Sequence, residues 1–328
     1  MTLLPYTSQP MLLSYHNVAF PVGIMEANSP DSILPWLCTK FTNCVFISPS
    51  PNNKFILSAN DVWGVEEKIF TKETIALRKT SFGVYGWDLL DILKKSISNQ
   101  CYINGNYNEK FIPHKYCYNK IDFMHDYLIV GCCDEYFYSV GYTSTGRFEL
   151  FKIPIQNFID SLIYTDEDKI HLNLFSYNKD VVPSPDMKRM MFNLEQYNLT
   201  RDKVYTTITT RYTFGIASLV RLKEFFHETS WLDKRYTLVL LEHKWIMKEL
   251  IGNFLNESER EEFVGPINAN YDKAKTIHML GLKMNISPNE KYISSVSSYI
   301  DEIIATELDY FPKLISLLKE KYAADLAE

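Results

Sequence analysis

The segment FMHDYLIVGCCDEYFYSVGYTSTGRFELFKI, residues 123–153, decides the fold. Runs rich in β-branched and aromatic residues are interrupted near Asp134-Glu135 and at 143–146, where turn-forming residues cluster. The pattern predicts antiparallel strands over 124–133, 136–142 and 147–153. Residues 127–131 are apolar on both faces, so we expect the first strand to be central in its sheet and covered on both sides.

Helical patterns surround this sheet. Leu89, Leu93 and Ile97 share one face of a helix predicted over 84–99, and a short helix is predicted over 154–163. Pro21 and Pro30 each fit a first helical turn, which predicts helical pieces within 19–45. Further helices are predicted near 213–229, 232–255, 267–283 and 288–326, the last one kinked or divided at Pro312.

The chain therefore reads as an α+β protein with a helical C-terminal half. Two nearby prolines and many polar residues mark 176–206 as a linker region. This places an α+β domain with an antiparallel sheet at 1–175 and a helical domain at 207–328.

Composition excludes several functions. The 328 residues carry a net charge of −6 with no basic block, which disfavours nucleic-acid binding. No signal peptide and no membrane span are expected, because the N-terminus lacks a basic region and no apolar run is long enough. The six cysteines form no CxxC pair, which is typical of reduced thiols in the cytoplasm. No metal site is expected, because no Cys/His set has zinc spacing.

His125 is the strongest candidate for chemistry. It precedes a buried strand, where an imidazole can face a cleft and serve as the base for a thiol nucleophile. The alternative is an ordinary histidine that bonds at a sheet edge. Asp126 is a weaker candidate, because neighbours in a strand point to opposite faces and the two cannot share a cleft without a bulge. It could instead fix the backbone or cap a helix.

A nucleophile is harder to find. Ala19 directly precedes Phe20-Pro21, where a short helix would begin, and Ala27 precedes a second such start. Either alanine could occupy the place of a replaced or lost cysteine, although small residues at helix starts are also common. Cys38 is a weak candidate, since it lies about two turns into a helix, too deep to profit from free N–H groups. It could equally be a core cysteine.

One acidic side chain falls on an apolar helical face. Glu307 lies on the face that Ile303 and Phe311 trace, and His243 lies on another apolar stripe. A buried charge needs a partner, which predicts a Glu307–His243 pair or a pair between Glu307 and a lysine or arginine. The alternative is a polar wall of a substrate cavity.

Four stretches resemble a family of papain-like acyltransferases from bacterial natural-product gene clusters, of the butirosin acyltransferase type and including closthioamide-type amide synthases. They are HNVAFPVGIM (16–25), PWLCTKFTN (35–43), 111–150 and LLEHKWIMKEL (240–250). The resemblance spans about 15–325 and rests on a hydrophobic pattern plus His125-Asp126. The sequence departs from it at the nucleophile and at the third member of the catalytic triad.

The resemblance implies a papain-like core and an amide-forming acyl transfer in the biosynthesis of peptide-like antibiotics. The acyl donor would be a thioester on the phosphopantetheine of a carrier protein, and the acceptor a small amine. A thiolate at a helix start would attack the thioester, with His125 moving the proton. No other cofactor is implied. Rival interpretations are a peptidase or thioesterase on the same fold, and a non-catalytic peptidase-like binding protein.

Overall fold

The computed structural model describes residues 1–48, 53–59, 61–78, 82–164, 168–198 and 212–327, and only the backbone of 82–88. The chain divides into two compact units. The first contains Met1–Pro30 and Asp61–Pro183, and the second contains Asp31–Asn60 and Ser184–Glu328.

The strands in chain order are β1 Thr2–Leu3, β2 Cys44–Ile47, β3 Lys54–Leu57, β4 Phe70–Arg78, β5 Cys101–Asn108, β6 Met124–Cys132, β7 Tyr136–Tyr142, β8 Phe148–Pro154, β9 Lys169–Tyr177 and β10 Tyr212–Phe214. The helices are α1 His16–Asn28, α2 Pro30–Lys40, α3 Phe82–Ser98, α4 Ile155–Ile163, α5 Met187–Asn198, α6 Gly215–Thr229, α7 Lys234–Phe254, α8 Glu257–Ile286, α9 Lys291–Lys321 and α10 Ala323–Ala327, with a 3₁₀ turn at Glu109–Phe111.

An antiparallel sheet organises the first unit. Within the described residues its order is β4-β9-β5-β6-β7-β8, and β1 pairs with β6. The predicted strands β6, β7 and β8 are confirmed to within about a residue, and β6 is central. Phe158 of α4 packs on one face of the sheet against Tyr127 and Phe137. The predicted helix over 84–99 is confirmed as α3, with Leu89, Leu93 and Ile97 buried.

The second unit is mainly helical. The small sheet β10-β2-β3 lies against α6 and α7, where Phe46 of β2 contacts the rings of Phe225 and Tyr236. Helices α7, α8 and α9 pack on one another. The structure thus confirms an α+β protein with antiparallel sheets and a helical C-terminal region. Helix α9 runs through Pro312 without being divided.

The division of the chain differs from the predicted single boundary. Residues 31–60 belong to the second unit, because the apolar side chains of α2, β2 and β3 complete its core. The predicted linker contains helix α5, whose Tyr197 is buried; positions 199–206 of that linker and 207–211 of the predicted helical domain lie outside the described residues. Local polarity and prolines could not reveal which unit each segment completes.

Among the described helices, none is both long enough and apolar enough to cross a lipid bilayer.

Candidate active site

Helix α1 begins earlier than expected. It starts at His16 rather than at Phe20, and Pro21 lies in its second turn. The N–H groups of Val18 and Ala19 bond to the carbonyl of Tyr15, at 3.0 and 2.9 Å. The N–H groups of His16 and Asn17 make no hydrogen bond within the described residues. Such open donors at a helix N-terminus can bind an oxyanion.

Both alanine candidates lie away from the helix start. Ala19 is the fourth residue of α1 and is fully buried, and its carbonyl accepts a hydrogen bond from the hydroxyl of Tyr6. Ala27 is exposed in the last turn of α1, where the helix dipole disfavours a thiolate. The expectation that Ala19 precedes a helix start is therefore wrong, whereas Ala27 does precede the predicted start of α2 at Pro30 but lies within the last turn of α1.

The third candidate, Cys38, lies in α2 in the second unit and is fully buried. Burial raises the pKa of its thiol, and its Sγ donates to the carbonyl of Ile246. This is the environment of a core cysteine.

The start of α1 and His125 come together in the first unit. The rings of His16 and His125 lie 4.7 Å apart between centroids. Nδ1 of His125 lies 3.0 Å from Oε1 of Glu109, and its Nε2 lies 3.4 Å from Oδ1 of Asp126. The contact with Glu109 is a hydrogen bond, whereas Nε2 makes none within the described residues. Nε2 is therefore the ring atom open to proton exchange.

Asp126 shares this site with His125, which corrects the expectation that they point apart. The described irregularity in the β6–β7 register lies between Ile129 and Gly131, so no bulge is needed at Asp126. Both residues lie near the beginning of β6, and their side chains bend towards each other across the strand end. Asp126 also accepts from Nδ1 of His16 at 3.2 Å.

Glu109 was missed by the sequence reasoning. Strand β5 pairs Tyr107 with His125, so the 3₁₀ turn after β5 carries Glu109 past the beginning of β6. Burial alone would raise the pKa of Glu109, but the hydrogen bond from His125 and the charge of Lys115 outweigh it and hold the pKa below its usual value. Glu109 is thus an ionised carboxylate that orients His125.

Lys115 supports Glu109 from the buried side. Its Nζ lies 3.4 Å from Oε1 of Glu109 and donates to the carbonyl of Tyr142 at 2.6 Å. Burial lowers the pKa of Lys115, and the charge of Glu109 opposes that shift. The pair balances charge in a region where an unpaired ion would be costly.

The protonation of His16 follows from its neighbours. Nε2 of His16 accepts the backbone N–H of Tyr142 at 3.3 Å, so the proton of the neutral ring is on Nδ1 and points at Asp126. Burial lowers the pKa of His16, although the hydrogen bond to Asp126 opposes this. A side chain at Gly141, where φ is +149°, would place a Cβ 3.3 Å from this ring.

The site suits proton transfer better than metal binding. His16, His125 and Asp126 offer ligand atoms within 4.8 Å of one another. Coordination by Nδ1 of His16 would move its proton to Nε2, where it would oppose the N–H of Tyr142. A ligating histidine normally donates its second nitrogen to an acceptor instead. The hydrogen bonds favour proton transfer.

No protein-family model and no curated protein matches the chain. The chemistry of the site is therefore inferred from its geometry alone. In the described residues, which include all six cysteines, no thiol makes a hydrogen bond to His125 or His16.

Asn108 holds the segments of this site together. Its side chain accepts the N–H groups of Lys110 and Phe123, at 3.1 and 3.2 Å. It donates to Oδ1 of Asp122 and to the carbonyl of Tyr164, at 2.8 and 2.9 Å. All four hydrogen-bonding positions of one buried amide are thus used, and they fix the turn that carries Glu109.

Replacing Asn108 by alanine is expected to lower the free energy of unfolding of the first unit by about 2–3 kcal/mol. The four bonds of this buried amide contribute about 1 kcal/mol each, and water recovers only some of them when the amide is removed. Urea unfolding followed by circular dichroism measures the change. Asn106→Ala is the matched control, because that exposed side chain makes no hydrogen bond within the described residues. Equal effects of the two substitutions would contradict this role for Asn108.

Proposed function

We propose that the first unit is an amide-forming acyltransferase with a papain-like core, acting on acyl thioesters carried by the phosphopantetheine of a carrier protein. The observation that carries the proposal is the hydrogen bond of 3.0 Å between Nδ1 of His125 and Glu109, which leaves Nε2 open beside the first turn of α1. An oriented imidazole next to open N–H donors is the arrangement that acyl transfer requires.

The reaction follows from these groups. The acceptor amine attacks the thioester carbonyl while Nε2 of His125 takes a proton from its nitrogen. The N–H groups of His16 and Asn17 hold the oxyanion. The C–N bond forms, the C–S bond breaks, and His125 returns the proton to the leaving thiolate. Asp126 lies 3.4 Å from Nε2 and stabilises the imidazolium formed in between.

Direct attack by the amine suits this chain better than a cysteine-bound intermediate. A covalent route needs a thiolate that hydrogen-bonds to His125, and no described cysteine makes such a bond. The thiol of Cys117 interacts with Glu109 instead, and burial and the charge of that carboxylate raise the pKa of Cys117, which disfavours a thiolate. The six unpaired thiols fit our further proposal that the protein works in the cytoplasm. A non-catalytic binding protein is the competing function, and it is favoured by the same lack of a hydrogen bond between a described cysteine and His125.

The test is thiol release from octanoyl-N-acetylcysteamine with and without a panel of primary amines, with amide products identified by mass spectrometry. We expect amine-dependent release that falls about 10²- to 10⁴-fold in His125→Gln. His114→Gln is the matched control, since that exposed imidazole does not contact Glu109.

Three outcomes separate the possibilities. Release without amine identifies a thioesterase instead of a transferase. Release that persists in His125→Gln removes His125 from the reaction. No release with any amine contradicts catalysis and leaves the non-catalytic binding protein.

A further inference from the structure

Large apolar side chains are exposed on the segments next to His125. Phe123 and Met124 are 46% and 39% exposed, although they directly precede the buried part of β6. The ring of Phe123 lies 5.5 Å from that of His125 between centroids. Tyr164 is also exposed and stacks on Phe111 at the end of α4. Single exposed apolar residues are common, but several around one oriented imidazole are informative.

The cleft next to Asp126 has a different character. It has a volume of about 250 Å³ and is lined by residues of β5, β6 and β9 and by Leu162 of α4. Its polar lining is Asn104, Asn106, Asp126, Lys169, His171 and Asn173. Its apolar side chains are Met124, Leu162 and Ile170, so the cleft is mainly polar and suits the amide-bearing end of a substrate.

We propose that the enzyme selects apolar acyl groups, aliphatic or aromatic, and that Phe123 and Met124 are the residues that bind them. This inference rests on the proposed acyl transfer. Phe123 lies beside His125, and Met124 lines the cleft together with Asp126, whose Oδ1 lies 3.4 Å from Nε2 of His125, so a donor that contacts both side chains lies next to that ring. The acyl chain then covers the exposed faces of the two side chains, which the free protein leaves in water.

Asn108 explains why this surface is already formed before binding. It accepts the N–H of Phe123 and donates to the carbonyl of Tyr164, so the same amide fixes the backbone that carries both rings. A preformed apolar surface loses less conformational entropy when a ligand binds.

Binding of unreactive analogues tests the inference separately from catalysis. S-octyl- and S-methyl-N-acetylcysteamine are thioethers and cannot be cleaved. Each fully buried methylene strengthens binding about fourfold, and an open surface captures a part of this, so we expect the octyl compound to bind about tenfold more tightly. Isothermal titration calorimetry measures both affinities.

Phe123→Ala is expected to reduce the preference for the octyl compound to about threefold or less. Leu150→Ala is the control, because Leu150 is a similarly exposed apolar residue of the same unit on β8. Equal affinity for the two compounds, or an unchanged preference in Phe123→Ala, would overturn the inference.

The outcomes distinguish this inference from the proposed function. A preference for the octyl compound without turnover of any thioester would keep the apolar site and reject the transferase. Transfer at equal rates from acetyl and octanoyl thioesters would keep the transferase and reject the selectivity.

Discussion

Replacing Lys244 by methionine is expected to lower the free energy of unfolding of the second unit by about 3–5 kcal/mol. Nζ of Lys244 on α7 lies 2.6 Å from Oε1 of Glu307 on α9, and neither side chain is more than 1% exposed. Without the ammonium, Glu307 would remain as an uncompensated charge in the core. The cost of removing one partner of a buried pair far exceeds the value of an exposed ion pair.

The surrounding groups raise the cost further. Lys244 also donates to the hydroxyl of Tyr197, which donates to Oε2 of Glu307. Burial and the charge of Glu307 raise the pKa of Tyr197, which therefore remains a protonated donor. Burial and Lys244 lower the pKa of His243, whose neutral Nδ1 accepts from Nζ of Lys244. One ammonium thus satisfies a carboxylate, a phenol and an imidazole.

Urea unfolding with circular dichroism of the helical signal provides the measurement. Lys248→Met is the matched control, one turn along α7 and exposed, and it should change stability by about 0.5 kcal/mol or less. The double variant Lys244→Met with Glu307→Gln should recover part of the loss, because no buried charge remains. A loss below about 1 kcal/mol in Lys244→Met would contradict the stabilising role of this buried pair.

This pair shows what the sequence could predict. The apolar face around Glu307 predicted a burial that requires a partner, and the structure supplies Lys244. The sequence left histidine and a basic residue open, because Lys244 follows His243 directly and the rotation of α7 decides which one faces Glu307. The strands β6, β7 and β8 were predictable for a similar reason, since their alternation and turns are local signals.

The candidate site depended on information that local patterns do not contain. Glu109 contacts His125 because β5 and β6 pair in one particular register. The sequence does not reveal this register, because a long connection separates the two strands. The start of α1 was misplaced because Pro21 indicated a first turn, whereas the helix accommodates it one turn later. Residues that contact a site through strand pairing or helix packing can be named only when the register is known.

Replacing Glu109 by glutamine is the second large effect. We expect kcat for acyl transfer to fall about 10²-fold with KM nearly unchanged, because the amide still occupies the site but no longer stabilises the imidazolium that forms on His125. Steady-state kinetics with the octanoyl thioester and its amine measure both constants. Glu73→Gln is the matched control, since Glu73 is an exposed carboxylate on β4 of the same unit and makes no hydrogen bond to His125.

The free energy of unfolding of Glu109→Gln should also depend on pH differently from that of the wild type, and this test does not require catalysis. The folded-state pKa of Glu109 lies below its usual value: burial opposes this, but the bond from His125 and the charge of Lys115 prevail. The carboxylate therefore stabilises the fold above its unfolded pKa of about 4.3, and that stabilisation is lost as pH falls through the lower folded pKa. Glu109→Gln should lack this loss, so the stability difference from the wild type narrows in acid. A packing role instead of an electrostatic one would follow from either of two results. One is a kcat loss accompanied by an equal rise in KM, and the other is a stability difference between the wild type and Glu109→Gln that does not change as the pH falls.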